Sequence, residues 1–308
     1  MPSAYITHLS SLRHEMGPGH PECPERVSAI NDHLLSHGLL DLMLPYTAPA
    51  ATRAQIERVH ASPYVAELIA RAPTSGYRSV DPDTLMNPHT LDAAWHAAGA
   101  SVFATEIVAS GEVESAFCNV RPAGHHATRN AAMGFCFFNN VAVGIAHALA
   151  ECGMHRVALV DFDAHHGNGS EDIFAGDDRV LMVSTFERGL YPFNGEVPTG
   201  PNLCNVPLEP YTRGDAMRDA VINHWLPALD AFRPQMIFVS AGFDAHREDD
   251  MCHLRWTESD YTWLTREIVT VATRHAQGRV VSVLEGGYAL HALARSVAAH
   301  VGTLIGAY

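Results

Sequence analysis

The stretch Asp161-Phe162-Asp163-Ala164-His165-His166-Gly167-Asn168-Gly169 decides how the chain folds, because its polar residues follow directly on an apolar run. That run, residues 157–160, is short and rich in valine, which predicts a strand buried on both faces. Gly167 and Gly169 then allow the backbone to turn, and a helix is predicted to follow. Ligands of α/β sheets bind where such strands end. An aspartate and a histidine separated by one residue, such as Asp163 and His165, can both face the same cation, for example zinc. The stretch therefore predicts a metal site.

The rest of the chain alternates strand and helix patterns from end to end. With 308 residues and 47% hydrophobic content, it has ample material for a large core. No linker, internal repeat or low-complexity segment interrupts the alternation, which is typical of an α/β fold with a parallel sheet. We therefore expect a single α/β domain spanning residues 1–308.

Charge excludes one class of partner. The formal net charge of -14 argues against nucleic-acid binding, which requires a basic surface. An acidic surface also suits a cationic substrate, although solubility alone explains such a balance in many proteins. We expect no nucleic-acid partner.

Cysteine spacing and hydropathy indicate the compartment. The six cysteines are scattered without a CxxC pair or a regular framework, which is typical of reduced thiols. No apolar run approaches the length needed to span a membrane, and the N-terminus lacks the apolar core of a signal peptide. We expect a soluble, cytoplasmic protein without a membrane partner, and the existence of a homo-oligomer stays open.

Three further predicted strands end in polar residues. Because the carboxyl ends of parallel strands lie at one edge of a sheet, these residues should meet Asp163 and His165. They are His125 and His126 after strand 116–120, Asp244 after strand 236–240, and Tyr288 after strand 280–284.

This set of side chains fits hydrolysis of an amide. It offers a metal one histidine and two aspartates, Asp163, His165 and Asp244, which leaves positions open for water and substrate as in catalytic zinc sites. A histidine can take the proton from water, and Tyr288 can donate to the developing oxyanion. Asp161 and Asn168 are suited to orient the two histidines.

Two segments have both a structural and a functional interpretation. Residues 81–87 predict a loop with two carboxylates, which serve either as turn and helix-cap groups or as a rim that binds a substrate N–H group. Phe135, which follows Gly134, lies either in the core or on the wall of a pocket.

Together the motifs resemble the histone deacetylase family. The chain contains, in the family's order, HPExPxR (20–26), RPxGHH (121–126), GFCFFNN (134–140), DxDxHHGNG (161–169), GFDAH (242–246) and EGGY (285–288). The resemblance covers about residues 4 to 300. It implies the arginase/deacetylase fold, an open, mostly parallel sheet of about eight strands flanked by helices, with a metal at the strand ends.

The resemblance also implies a role for each site residue. Asp163, His165 and Asp244 would bind one zinc ion per chain, and Tyr288 would stabilise the transition state. His126 would be the general base and acid, and His125 its electrostatic partner. Asp161 would support His125, and Asn168 would support His126. His166 is not expected to bind the metal, and its role stays open.

The family also binds potassium near the metal. The positions that match its first potassium site are Asp161, Asp163, His165, Ser184 and Thr185. Those that match its second site are Phe174, Asp177 and Val180, where the family's usual tyrosine near Asn202 is absent.

The substrate rim resembles the class II branch. HHGNG, with Asn168 in place of an aspartate, is similar to that branch, as is the DPDT loop, in which Asp83 would meet the substrate amide N–H. Phe135, following Gly134, and Tyr191 match the aromatic walls of the acyl-lysine tunnel. Met251 falls at a gatekeeper position that is glutamate in the polyamine-selective member, so its apolar side chain argues against a strict polyamine enzyme.

Three alternatives compete with a lysine deacetylase. A binuclear manganese ureohydrolase shares the fold but needs a further bridging acid where Gly167 stands. A non-catalytic reader of acylated lysine would lack the tyrosine, whereas Tyr288 is present. An acetylpolyamine amidohydrolase is the main alternative, although the motif spacing shows no inserted loop to narrow the site. We expect the substrate to be acylated lysine or a small N-acetylated amine. The sequence does not distinguish between acyl chains of different length, or between zinc and ferrous iron as the metal.

Overall fold

A single sheet of eight parallel strands forms the centre of the molecule. The computed structural model describes residues 2–308. Along the chain, strands β1 to β10 are Ser3–Thr7, Met43–Thr47, Arg78–Asp81, Thr84–Met86, Ser115–Cys118, Val157–Asp161, Val180–Glu187, Leu203–Leu208, Met236–Ala241 and Val280–Leu284. The large sheet has the order β2-β1-β5-β10-β9-β6-β7-β8, and all its neighbouring pairs are parallel. The expected α/β class and strand number are confirmed.

Helices cover both faces of this sheet. In chain order, α1 to α10 are Glu25–Ser36, Arg53–Ile56, Ser62–Arg71, Thr90–Ala109, Asn140–Glu151, Asn168–Phe174, Gly214–Ala220, Leu226–Phe232, Glu258–His275 and Leu290–Leu304. A π-helical turn over Val221–Trp225 joins α7 to α8. Among the residues that the structure describes, no helix is both long enough and apolar enough to cross a membrane.

The central strands β6, β9 and β10 are apolar at nearly every position because both of their faces are buried. In β10, Val281 and Val283 join the cluster that contains residues of α4 and α5, whereas Val280 and Leu284 join the cluster with residues of α9 and α10. Alternate side chains of a strand point to opposite faces, so a strand between two helical layers must be apolar throughout. These layers hold the strands rigidly and fix where their ends lie.

The four strands that precede the candidate residues are neighbours in space. They form the central run β5-β10-β9-β6, and their parallel direction brings all four carboxyl ends to one edge. Residues separated by up to 163 positions in the sequence, from His125 to Tyr288, are therefore delivered to one place. The topology alone assembles the site.

The structure differs from the sequence expectation in four strands. Residues 81–87 lie partly in an antiparallel hairpin, β3–β4, rather than in a loop. The edge strands β2 and β8 gave no clear strand pattern, because β2 is half exposed and both contain a proline. Proline is tolerated on edge strands, where its missing N–H is not needed for pairing.

Candidate active site

Asp163, His165 and Asp244 form a buried cluster at the ends of β6 and β9. His165 Nδ1 lies 2.8 Å from Asp244 Oδ2 and 3.1 Å from Asp163 Oδ1. One ligand atom from each residue lies within 4.8 Å of the other two, and all three residues are buried. Two carboxylate oxygens and an imidazole nitrogen at this spacing are a donor set that suits zinc.

Backbone groups orient the two carboxylates. The N–H of His165 donates to Asp163 Oδ1 (2.9 Å), and the N–H of Gly286 donates to Asp163 Oδ2 (2.8 Å). Ala164 N–H donates to Asp244 Oδ1 at 2.9 Å. A Cβ atom at Gly286 would lie only 2.5 Å from Asp244 Oδ2, so the close approach of the EGGY turn requires glycine.

Electrostatics in this cluster favour a bound cation. Burial and the Asp163 carboxylate raise the pKa of Asp244 to about 7, against the opposing effect of His165. Burial also acts to raise the pKa of Asp163, but His125 and His165 lower it below its ordinary value. Two buried carboxylates this close repel each other unless positive charge lies between them. The residues present therefore fit a divalent cation.

The adjacent histidines His125 and His126 have different partners. His125 Nδ1 lies 3.1 Å from Asp161 Oδ2, whereas His126 Nδ1 lies 2.8 Å from Asn168 Oδ1. Burial acts to lower the pKa of His125, but Asp163, Asp161 and a further carboxylate outweigh it and raise the pKa to about 10. Burial and the neighbouring imidazoles lower the pKa of His126 well below its ordinary value. The pair thus holds one cationic and one neutral ring.

That further carboxylate belongs to Glu285, the first residue of the EGGY motif, for which the sequence predicted no role of its own. Its Oε2 accepts from the backbone N–H groups of Gly124 (2.6 Å) and His125 (3.1 Å), and its Oε1 accepts from Ser240 Oγ (3.2 Å). Burial raises the pKa of Glu285 to about 7. Glu285 follows directly after β10, at the carboxyl end of the strand, as the other site residues follow their strands. This position is the sequence feature that could have identified it.

Tyr288 is positioned through its backbone and its ring. Asp249 Oδ2 accepts from the N–H groups of Tyr288 (2.6 Å) and Ala289 (2.9 Å). The Arg26 guanidinium lies 4.9 Å from the ring centroid and donates to Gly287 O at 2.6 Å. Burial raises the pKa of the Tyr288 phenol well above its ordinary value, so the phenol keeps its proton. Neither Asp249 nor Arg26 was selected from the sequence, since their effect on Tyr288 depends on tertiary packing.

Aromatic rings surround the approach to the two histidines. The Tyr191 ring packs edge-on against His126 with centroids 5.2 Å apart, and the Phe135 ring packs edge-on against Tyr288 at 5.9 Å. A Cβ at Gly134 would lie 2.5 Å from His126 Cδ2 and 2.9 Å from Tyr191 Cε1. Gly134 therefore lets this segment pass close to both rings, and the proposed tunnel residues do lie together.

The hairpin β3–β4 contacts the aromatic segment, and Met251 packs against the same core cluster as Phe135. Thr84 Oγ1 accepts from the N–H of Phe135 at 3.0 Å, which ties the hairpin to the aromatic segment. Burial and the nearby Asp83 carboxylate raise the pKa of Asp81 above its ordinary value. Met251 is half-buried. Asp83 itself is exposed.

His166 is directed away from the cluster of Asp163, His165 and Asp244. Its Nε2 lies 2.9 Å from Glu171 Oε2, and the ring is 2% exposed. Glu171 also accepts from Thr199 N–H and Asn205 Nδ2, at 2.9 and 2.7 Å. The His166 imidazole is therefore paired with Glu171 rather than placed among Asp163, His165 and Asp244.

The two predicted potassium sites differ in how well their residues fit an ion. Near the first, Thr185 is 1% exposed, and its Oγ1 has no hydrogen-bond partner within residues 2–308. Ser184 pairs in register with Asp161, so the residues of this site are adjacent. A buried hydroxyl without a hydrogen-bond partner requires a ligand, and a bound cation would supply one.

At the second set, a side-chain amide already binds the carbonyl oxygens. Asn202 Nδ2 donates to the carbonyls of Phe174 (2.8 Å), Asp177 (3.2 Å) and Val180 (2.8 Å). Its Oδ1 accepts from Gly176 N–H at 2.8 Å, which fixes the orientation of the amide. The residues present therefore do not fit the second potassium ion that the sequence predicted.

Comparisons with known proteins agree with this geometry. A family model described as histone deacetylase domain matches residues 20–304. A histone deacetylase-like amidohydrolase from Pseudomonas aeruginosa is 37% identical over 277 residues, covering 88% of this chain and 73% of that protein. The polyamine deacetylase HDAC10 of Homo sapiens is 36% identical over 307 residues, covering 93% of this chain and 45% of that protein. The crystal structure of the HDA15 HD domain matches with a TM-score of 0.92 and 31% identity, covering 99% of this chain and 90% of that one.

These matches identify both the fold and the class of reaction. All four motif-bearing strand ends lie within the matched residues. The sheet of eight parallel strands flanked by helices has the arginase/deacetylase fold. The chain is a deacetylase and belongs to the histone deacetylase family.

Proposed function

We propose that this protein is a zinc-dependent amidohydrolase that removes an acetyl or short acyl group from acylated lysine in a peptide or protein. The observation that carries the proposal is the buried cluster of Asp163, His165 and Asp244 beside the His125–His126 pair. When bound there, zinc would polarise the acyl carbonyl and lower the pKa of the attacking water.

His126 is the proposed general base and acid. Asn168 Oδ1 can only accept, so the Nδ1 atom of His126 carries the proton and its Nε2 atom is left free. The lowered pKa of His126 keeps this nitrogen unprotonated and able to take a proton from water. The same nitrogen then returns the proton to the leaving amine.

His125 and Tyr288 supply the proposed charge stabilisation. His125 is held by Asp161, and the carboxylates of Asp163 and Asp161 outweigh burial and raise its pKa, which favours a cationic imidazole beside the reacting groups. The Tyr288 phenol stays protonated and donates a hydrogen bond to the oxyanion that forms from the acyl carbonyl. Such a donor is most effective where water is excluded, and this edge of the sheet is buried.

Acylated lysine is the preferred substrate and acetylpolyamine the alternative. Met251 is apolar, whereas a carboxylate at this position would attract a cationic polyamine. Phe135 and Tyr191 would enclose the aliphatic part of the lysine side chain, and Asp83 would accept from a substrate amide N–H. The similarity to a protein named polyamine deacetylase supports acetylpolyamine as the alternative substrate.

Two other functions fit the site less well. A binuclear manganese ureohydrolase needs a bridging acid, and Gly167 stands at that position. A non-catalytic reader needs no proton donor, yet Tyr288 is present and held by Asp249. We also propose one structural potassium ion near Ser184 and Thr185, and a cytoplasmic location in which the six free cysteines stay reduced.

The test compares turnover of an acetyl-lysine peptide with turnover of acetylputrescine, each with and without a chelator. We expect the peptide to have the higher kcat/KM, and chelation to abolish both activities until zinc is added back. Faster turnover of acetylputrescine would establish the alternative substrate. Hydrolysis that survives complete removal of metal would contradict the mechanism.

A further inference from the structure

Three arginines line a surface pocket of about 570 Å³ at the edge of the candidate active site. They are Arg213, Arg247 and Arg255. Within residues 2–308, no hydrogen bond or ion pair joins any of their guanidinium groups to another side chain, whereas Arg188, for example, pairs with Glu196 and Glu209. The chain has a formal net charge of -14, so a pocket lined by three arginines is a positively charged region on an acidic protein.

Backbone hydrogen bonds hold the three arginines in place. Arg213 and Arg255 form a parallel β-bridge, and the N–H of Arg255 donates to Thr212 O at 2.9 Å. The N–H of Arg247 donates to Trp256 O at 3.0 Å. The segments that carry the arginines are therefore fixed to each other, so little backbone ordering remains when a ligand binds.

One of the guanidinium groups is also oriented by an aromatic ring. Arg255 lies over Tyr211, 5.4 Å from the ring centroid. A guanidinium stacked in this way keeps the N–H groups at its edge free for a planar anion. Tyr211 adopts φ +67°, a left-handed conformation that side chains rarely take and that is concentrated at ligand sites.

The carboxylates in the lining do not neutralise the arginines. They are Asp249 and Asp250. Asp249 Oδ1 accepts from Met251 N–H at 3.0 Å, and its Oδ2 accepts from Tyr288 N–H at 2.6 Å, so this group is already bound by the backbone. Three guanidinium groups thus face two carboxylates, of which only Asp250 is exposed.

The pocket adjoins the groups proposed to act on the substrate. Asp249 lines it and also fixes the backbone of Tyr288. Cys252 lines it as well, and its thiol donates to the carbonyl oxygen of Asp244 at 3.1 Å. Met251, which lies between these two residues in the sequence, is half-buried and packs against the core cluster that includes Phe135. A substrate whose acyl group enters the site would therefore extend past Met251 towards the arginines.

We propose that this pocket binds carboxylate side chains next to the acylated lysine and so selects acidic peptides. Arg binds carboxylates through paired N–H groups, and three unpaired arginines at the rim can accommodate one or two such groups. Acetylated polyamines are cations and gain nothing from this pocket. The inference rests on the proposed acyl-lysine function and refines its substrate class.

Kinetics on three acetyl-lysine peptides of equal length tests the proposal. The residues flanking the acetyl-lysine are aspartate in one peptide, serine in the second and arginine in the third. We expect the acidic peptide to have a KM several-fold below that of the serine peptide at similar kcat. Arg213→Gln, Arg247→Gln and Arg255→Gln should each raise the KM for the acidic peptide about two- to fivefold and leave the serine peptide unchanged.

Arg266→Gln is the matched control, because Arg266 is an exposed arginine on α9 that does not line the pocket and has no ion pair among the described residues. Calorimetry with the deacetylated acidic peptide measures binding without turnover. This binding should weaken in the pocket variants and with rising salt, which screens charges on exposed surfaces.

The outcomes separate the two proposals. If the serine peptide is hydrolysed but the acidic peptide is not preferred, or if Arg266→Gln has the same effect as the pocket variants, the pocket inference is wrong and the deacetylase function stands. If the zinc enzyme hydrolyses none of the peptides, the proposed function is wrong. Calorimetry on the acidic, serine and arginine peptides then still decides whether the pocket prefers carboxylates.

Discussion

Tyr288 illustrates how single residues in this site depend on their surroundings. Tyr288 is half-buried, and desolvation of its phenol raises the pKa, so the phenol keeps its proton. Its backbone is fixed by Asp249, and Arg26 lies over its ring. None of these contacts involves the phenolic oxygen. Removing that oxygen should therefore change the reaction while leaving the fold intact.

The variant Tyr288→Phe tests this separation of roles. We expect kcat on an acetyl-lysine peptide to fall roughly 100- to 1000-fold with little change in KM, because the lost hydrogen bond strengthens only in the transition state. Steady-state kinetics provides the measurement. Tyr46→Phe, at a half-buried tyrosine far along the chain from the site whose hydroxyl donates to Glu112, serves as the control and should retain full activity. Unchanged turnover in Tyr288→Phe would refute the assigned donor.

At the scale of elements, the end of α6 and the start of β7 are joined by one amide. Asn202 Nδ2 donates to the carbonyl oxygens of Phe174, Asp177 and Val180, and these carbonyls would otherwise need a cation or water. An unpaired buried carbonyl costs about 1–3 kcal/mol. The amide N–H groups of Asn202 thus occupy the place where the family resemblance implied a potassium ion.

Replacing this amide should create a dependence on potassium. In Asn202→Asp, a carboxylate faces three carbonyl oxygens, so we expect the free energy of unfolding to fall by about 1–3 kcal/mol in choline chloride. Potassium chloride should restore part of this loss and should stabilise the variant more than the wild-type protein. Urea unfolding in the two salts measures both effects.

Asn130→Asp, at an exposed asparagine, controls for the added charge. An equal response of wild-type protein and Asn202→Asp to potassium would show that the amide does not replace a cation.

At the scale of the whole molecule, the sheet concentrates negative charge at one edge. Asp161, Asp163, Asp244 and Glu285 are all buried there. Only the rigid packing of helices on both faces can hold these groups so close together. A ligand that binds the folded protein and not the unfolded chain raises stability in proportion to its occupancy.

Zinc should therefore raise the melting temperature of the chelated protein. We expect an increase of several degrees with excess zinc, because a gain of about 1 kcal/mol shifts the midpoint of a large domain by roughly 2 °C. Scanning calorimetry of protein with and without zinc provides the measurement. In Asp244→Ala the shift should disappear, whereas Asp178→Ala, at an exposed aspartate, should keep it. A full shift in Asp244→Ala would place the metal elsewhere.

Elements that local chemistry specifies can be predicted from the sequence. Apolar runs ending in polar residues predicted β5, β6, β9 and β10, and their parallel direction predicted that Asp163, His165 and Asp244 meet. These predictions succeeded because a strand buried on both faces must be apolar throughout, and that pattern is readable in a single segment. The edge strands β2 and β8 lack this constraint and were missed.

The interactions between residues that are distant in the sequence follow from the folded arrangement. Glu285 raises the pKa of His125 across β5 and β10, and Asn202 fills a ring of carbonyls that the motif had assigned to potassium. Arg213, Arg247 and Arg255 share a pocket because two loops are joined by a β-bridge. Charge interactions and hydrogen bonds depend on separations of a few ångströms, and residues far apart along the chain reach such separations only after the sheet has formed.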